Sequence, residues 1–410
     1  MTATRPRSRR PRSRARRVLG LFLAAVVVLL LGAAGQYARP VPALAAVPLL
    51  GPTIAVDGPA PTLPWPRVGA AAVGTTELGL LATYGGDQPR PTASTAKIMT
   101  ALLVLADHPL AVGEAGPVVT VSAQDVADYR REASEGQSVM LVADREQLSE
   151  YQLLQALLLP SANNVAGLLA RWDAGSIEAF VDRLNAKAAA MGMTHTHFAD
   201  ASGYSPQTVS TPADLVIAAE AAMADPVFAQ IVGQPQARLP VAGTVYNVNA
   251  VLGRDGIIGV KTGSTPEAGS CFVFAAKQPV GDQTVTVYGA VMGQELLADA
   301  FDDAQRLAAA VGDALRWVRV LTPTEPVAVI RPAWGGEVRI VPADAVTLLG
   351  WPGATVQADL AVEPLQAPLP AHSRVGTLTV RLGPTTRQVD LYTDSPLEAP
   401  SLRWRLTRGP

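Results

Sequence analysis

Lysine is nearly missing from this chain, which holds four lysines among 33 basic side chains in 410 residues. Where arginine is the ordinary cation, a retained lysine marks a position that arginine cannot fill. Desolvation can strip the lysine ammonium to a neutral amine that acts as a base, whereas a guanidinium stays charged. Two of the four, Lys97 and Lys261, lie in Ser94-Thr95-Ala96-Lys97 and Lys261-Thr262-Gly263. Cysteine is scarcer still: Cys271 alone excludes an internal disulfide. Its neighbours, Cys271-Phe272-Val273-Phe274-Ala275-Ala276, read as a buried strand in which the thiol is a small core residue. Histidine is also sparse. His195 and His197 alternate, but no acid sits at ligand spacing and His108 and His372 are remote, so neither a metal site nor a cofactor is expected. A net charge of -2 gives no field to draw in nucleic acid, and no such partner is expected.

One strong charge feature remains, and it is local. Eight arginines fall within residues 1–17 with no acid among them. The apolar run 18–35 (VLGLFLAAVVVLLLGAAG) follows directly. A basic flank before an apolar run is a membrane-targeting element whose arginines stay in the cytoplasm, so the rest of the chain is expected outside. Eighteen helical residues span roughly 27 Å, just short of a ~30 Å hydrocarbon core. Two outcomes stay open: an uncleaved anchor, or a signal cut at the small-x-small pattern Ala43-Leu44-Ala45.

Residues 36–67 hold eight prolines and little charge, and read as a semi-extended spacer. From 68 to 318 the pattern is that of one domain. Strands are expected at 70–73 and 78–84, and a helix from Ser94 through Leu105. Ser149 then caps a helix that Pro160 stops, a second begins near Asn163, Ser176 caps a third, and Thr211-Pro212 opens a fourth. Strands return at 257–262, 271–276 and 284–291 before a last amphipathic helix over 300–318. Strands at both ends with helices between them give an α+β class, one antiparallel sheet covered by a helical cluster. Residues 319–410 carry short alternating runs between Pro/Gly turns and read as a small all-β sandwich.

The chemistry lies in three places. Ser94 and Lys97, three apart at a helix start, share a face. A serine hydroxyl needs a base within hydrogen-bond reach, and a desolvated lysine can be that base. Ser161-Ala162-Asn163 follows the Pro160 stop, where both Ser161 and Asn163 would also suit helix capping. Lys261-Thr262-Gly263-Ser264 sits on an expected strand, where a glycine lets a substrate backbone lie close. Each is weak alone; in this order and these contexts they form a motif set for serine acyl transfer.

On these residues the chain resembles the serine D-Ala-D-Ala carboxypeptidases, the low-molecular-mass penicillin-binding proteins. The resemblance extends through Pro91 to Leu102, Leu153-Leu154 through Pro160 to Asn164, Met193 to Phe198 with Gly203, Ser210 to Leu215, and Asp255 to Thr265 with Ala268-Gly269. It implies a β-lactamase/transpeptidase-like catalytic domain followed by the β domain, acting on peptidoglycan stem peptides, with β-lactams as covalent inhibitors. It further implies Ser94 as nucleophile, Lys97 as its base and Ser161 as the proton relay to the leaving amine. Asn163 would bind the substrate backbone, Lys261 supply positive potential, and Thr262 contact the terminal carboxylate. The backbone N–H groups of Ser94 and Ser264 would form the oxyanion hole.

Two departures from the family pattern stand out. Asn164 occupies a place where some relatives carry aspartate, and no arginine lies between Arg254 and Arg306 to hold the substrate carboxylate. That task is left to Lys261, Thr262 and Thr265. Against a β-lactamase, Val181 stands where a Glu-x-x-Leu-Asn motif ending at Leu184-Asn185 would need its deacylating acid. Two more readings stay open on the same fold: a D,D-endopeptidase, and a non-catalytic receptor for peptidoglycan or β-lactams.

Overall fold

The computed structural model describes residues 12–409. The central feature is a five-stranded antiparallel sheet in the order Ile257–Thr265, Gly269–Val280, Gln283–Gln294, Ala70–Thr75, Gly79–Tyr84. Cys271 to Ala276 is apolar without a break because both faces of the sheet are covered. Cys271, Val273 and Ala275 point into the helical cluster. Phe272 and Phe274 point the other way, where Phe272 meets Phe301 of the helix Leu297–Ala314 edge-on, with ring centroids 4.9 Å apart. Burial raises the Cys271 thiol pKa to about 11, which keeps it an inert core group.

The helical cluster is built around Lys97–Asp107, which packs against Glu150–Leu158, Asn163–Ala174, Ile177–Ala190 and Pro212–Met223. The expected caps at Ser149, Ser176 and Thr211 are made by side-chain oxygens that accept backbone N–H groups. Two helices escaped the sequence pattern. Ala123–Ser134 starts at a reciprocal Ser122/Asp125 capping box, and Pro226–Val232 starts at Asp225. The first matters to the site described below.

Three expectations are corrected. The helix expected over 300–318 ends at Ala314, and Arg316–Leu321 is a strand paired with Val346–Gly350, so a boundary at 318/319 would cut a β-ladder. Residues 36–67 are not simply the semi-extended spacer expected from their prolines. Val47–Pro48 and Thr53–Ala55 form the two outermost strands of the seven-stranded C-terminal sheet, against Ala328-Val329 and Thr355 to Gln357. Prolines hid this, because two- and three-residue edge strands carry no readable alternation and tolerate Pro. Finally, the N-terminal helix runs over Arg12–Ala38, beyond the apolar run 18–35, and is about 40 Å long at 1.5 Å per residue.

One buried acid is unusual. Glu150 opens the helix Glu150–Leu158, is fully buried, and both its carboxylate oxygens lack a hydrogen-bond partner. Burial first, and then the nearby Asp173 charge, raise its pKa to about 7. The folded state therefore favours the neutral acid, and its stability falls as pH rises from the ordinary carboxylate range through about 7. Glu150→Gln is accordingly expected to raise the melting temperature at pH 8 (roughly one unit above that value) and to change it little near pH 5. Equal shifts at both pH values in a thermal melt would contradict this.

Candidate active site

Ser94 sits in a single 3-10 turn, Ala93–Ala96, that runs directly into Lys97–Asp107. The preceding residue, Ala93, is held at φ 46°, a left-handed conformation that a non-glycine residue adopts only when its surroundings enforce it. What enforces it is contact on two sides. A Cβ on Gly263 would lie 2.9 Å from the Ser94 nitrogen and 3.0 Å from the Thr95 nitrogen. A Cβ on Gly203 would overlap the Ala93 carbonyl. Gly263 is thus needed first for the strand to touch the nucleophile turn, a closer constraint than the substrate approach expected from the sequence.

Lys97 is completely buried. Its Nζ lies 2.8 Å from Ser94 Oγ, 2.6 Å from Asn163 Oδ1 and 3.0 Å from the Ser202 carbonyl oxygen. Asn163 Oδ1 and the Ser202 carbonyl can only accept, so they consume two N–H groups. A neutral amine has two N–H groups and one lone pair, and the lone pair is left facing the Ser94 hydroxyl. Desolvation lowers the Lys97 pKa well below its ordinary value, the positive charge of Lys261 lowers it further, and Asp200 and Glu132 oppose the change. Geometry and electrostatics agree on an amine that can take a proton from Ser94.

Asn163 is itself clamped: its Nδ2 donates to Gln137 Oε1 at 2.6 Å, and its backbone N–H donates to the Ser138 carbonyl. The neighbouring Asn164 turns away from Lys97, pairing through both side-chain atoms with the Met140 backbone. This departure from the family pattern therefore fastens the loop over 135–140 to the helix. Ser161, at φ 67°, is buried and its Oγ has no partner. An orphan hydroxyl in a strained conformation beside Asn163 is a group left free for a ligand.

Lys261 lies on the sheet's edge strand, buried, with its pKa lowered to about 7 by burial, and its Nζ donates to the Thr262 carbonyl at 3.0 Å. Among the described residues the outer side of this strand pairs with no other strand, leaving backbone groups that can receive an extended peptide. Ser264 is exposed, with its Oγ 3.5 Å from Ser270 Oγ. Thr265 Oγ1 accepts the Ala268 N–H at 3.2 Å, stabilising the turn at the strand's end. Ser264 and Thr265, with Gly293, Gln294 and Glu295, line a shallow depression there.

Two contributors were not singled out from the sequence. Gln137 carries no motif, and it lies in the loop just beyond the helix Ala123–Ser134, whose Ser122 capping box was the only available signal nearby. Asp200 reads in sequence as a solvated or capping residue beside a turn. In the structure its carboxylate accepts from the Gly203, Tyr204 and Ser205 backbone N–H groups and from the Ser202 and Thr208 hydroxyls. It shapes the loop that presents the Ser202 carbonyl to Lys97. By contrast, Asn185 serves the fold, bracing the Phe198 backbone and the Val181 carbonyl.

Comparisons with known proteins identify what the chain is similar to. The Peptidase_S11 family, described as D-alanyl-D-alanine carboxypeptidase, matches residues 76–295. The chain is 32% identical over 282 residues to the D-alanyl-D-alanine carboxypeptidase of Streptomyces sp. strain K15, covering 65% of this chain and 93% of that one. It is 39% identical over 201 residues to D-alanyl-D-alanine carboxypeptidase DacB2 of Mycobacterium tuberculosis, covering 47% and 65% respectively. The crystal structure of the Streptomyces K15 DD-transpeptidase superposes with a TM-score of 0.53 at 31% identity, over 60% of this chain and 97% of that one. The D-alanyl-D-alanine carboxypeptidase DacD from Francisella tularensis, at 19% identity and a TM-score of 0.58, covers 86% of this chain and shares the fold.

Because Asp200 holds the Lys97 pKa up, Asp200→Asn is expected to lower it further. For a reaction in which the neutral Lys97 amine takes the Ser94 proton, the acid limb of kcat/KM should move to lower pH. The plateau should fall by roughly tenfold to a hundredfold, the scale of a small misplacement at a reacting group. A pH–rate profile checks both, and a plateau loss with no movement of the limb would leave Asp200 a merely structural residue.

Proposed function

The chain belongs to the D-alanyl-D-alanine carboxypeptidase family, Peptidase_S11, and from that premise we propose that it trims the terminal D-alanine from peptidoglycan stem peptides through an acyl-enzyme on Ser94. The observation that carries the reading is the buried Lys97 amine, held by two carbonyl-type acceptors with its lone pair on Ser94 Oγ.

In the proposed cycle the substrate lies along the outer edge of Ile257–Thr265 as an added strand. Lys97 takes the Ser94 proton as Oγ attacks the carbonyl between the two D-alanines. The Ser94 and Ser264 N–H groups stabilise the oxyanion. Ser161, its hydroxyl free and buried, relays to the departing amine of D-alanine the proton that Lys97 took, so that Lys97 returns to the neutral amine and Ser161 keeps its own proton. Lys261 and Thr262, with Thr265, draw in the terminal carboxylate, and Asn163 holds the substrate backbone. Water then releases the shortened peptide. β-Lactams would acylate the same serine, and the adduct should be long-lived, since the segment holding Val181 and Leu184-Asn185 belongs to the helix Ile177–Ala190 and carries no acid at the Glu-x-x-Leu-Asn position.

Several relatives are named D-alanyl-D-alanine endopeptidase, among them one from Escherichia coli at 29% identity over 239 residues. Cleavage of cross-linked stems is therefore the second reading, favoured by the open edge strand and by the depression beyond Thr265. We place the enzyme outside the cytoplasm, tethered by the N-terminal helix.

Incubation with penicillin should add one drug mass per chain, persisting for minutes or longer in intact-mass spectra. Ser94→Ala should abolish labelling, and Lys97→Arg should as well, since arginine cannot become the base. Wild-type protein should release D-alanine from a peptide ending in D-Ala-D-Ala. Adduct formation with no D-alanine released from any stem peptide would overturn the carboxypeptidase reading, and rapid drug hydrolysis would favour a β-lactamase.

A further inference from the structure

A line of hydrogen bonds leads from the Lys97 amine out to solvent. Lys97 Nζ donates to Asn163 Oδ1, Asn163 Nδ2 donates to Gln137 Oε1, and Gln137 Nε2 donates to Glu135 Oε2, each at 2.6 Å. Exposure rises along the line: Lys97 and Asn163 are buried, Gln137 is half-buried and Glu135 is exposed. On this path Gln137 is the side chain that separates the Asn163 amide from water.

The middle bond has a telling chemistry. Asn163 spends its side-chain oxygen on Lys97 and its backbone N–H on the Ser138 carbonyl. What it has left for a ligand is Nδ2, a donor that needs a carbonyl oxygen. Gln137 already supplies one, because its carboxamide presents the same acceptor as a peptide bond. The backbone around it is pinned. Gly136 and Gln137 close the end of the helix Ala123–Ser134 by donating to the Ala133 and Glu132 carbonyls, and Asn164 ties down Met140 beyond. The Gln137 side chain is the part that is free to turn, and the exposed Glu135 remains its partner on the outer side.

We propose that Gln137 is a latch on Asn163: its side-chain carbonyl stands in for the substrate's backbone carbonyl on Nδ2, and swings out when a substrate delivers that carbonyl. The carbonyl belongs to the amide that precedes the penultimate D-alanine of a stem peptide, or to the acylamino group of a penicillin. A ligand without it has nothing to exchange for Gln137. The latch therefore selects ligands with an acylated amine next to the scissile carbonyl. In the free enzyme the same bond keeps the Asn163 amide turned toward Lys97. Gln137 acts through Asn163 and is a positioning residue. The inference rests on the reading of Asn163 as the group that holds the substrate backbone.

The test compares acylation of the full chain by benzylpenicillin and by 6-aminopenicillanic acid, which carries a bare amine in place of the amide. Gln137→Met keeps the side-chain length and removes the acceptor. It should raise the second-order rate of acylation by benzylpenicillin by roughly threefold to tenfold, the worth of one neutral hydrogen bond. It should bring no such gain with 6-aminopenicillanic acid. With a peptide ending in D-Ala-D-Ala the gain should appear as a lower KM. A side chain that merely braces Asn163 gives the opposite sign, slower acylation by both drugs. Slower or unchanged acylation by benzylpenicillin, or an equal gain with both, overturns the latch. The wild-type penicilloyl-enzyme supplies a second reading that needs no substitution. In its structure the drug's amide oxygen should have replaced Gln137 Oε1 on Asn163 Nδ2, and a Gln137–Asn163 bond intact in the adduct overturns the exchange. Wild-type protein that benzylpenicillin fails to acylate removes the proposed function and the latch together. Wild-type acylation with a slowed Gln137→Met removes the latch alone.

Discussion

The acyl transfer proposed for this molecule depends on putting the Lys97 side chain where water cannot reach it. An ammonium in that position is penalised by burial and by the nearby charge of Lys261. The neutral amine is tolerated because Asn163 and the Ser202 carbonyl take its two N–H groups. Those partners come from separate stretches of chain, and each has its own fastening: Asn163 through Gln137 and Ser138, Ser202 through the Asp200 loop. The helical cluster is in this sense the housing for one desolvated nitrogen.

The sheet contributes a second constraint, which is proximity. Gly263 and Gly203 press on the nucleophile turn from opposite sides and hold Ala93 in its left-handed conformation. The turn is therefore set by packing between a strand and a loop more than by the helix it begins. An edge strand whose outer side is unpaired among the described residues, packed beside the Ser94 turn, suits the cleavage of an extended peptide.

How much of this was legible in the sequence differs by scale. The α+β class, the helix caps at Ser149, Ser176 and Thr211, and the strand carrying Lys261 follow from periodicity and capping chemistry, and they are present. The contact of Lys97 with Ser94 follows from spacing alone. Its contact with Asn163 needs the motif set, since 66 positions separate the two residues. Gln137 and Asp200 were illegible because their roles are made by loop geometry, and a glutamine or an aspartate near a turn has many ordinary uses. Val47–Pro48 and Thr53–Ala55 were illegible for a different reason: strands this short carry too few residues for alternation to register, and their partners lie at the far end of the chain.

That last pairing bears on the order of events in the cell. Val47 meets Val329 and Thr53 meets Gln357, so segments among the first to leave the ribosome complete a sheet whose other strands are among the last. Contacts this distant close late, after the chain between them has been made. The C-terminal sheet thus cannot finish on the cytoplasmic side of a membrane while its distal strands are still being synthesised. A chain exported while still being synthesised would cross before its last domain had any native shape to impede it, and would lock that domain only on arrival.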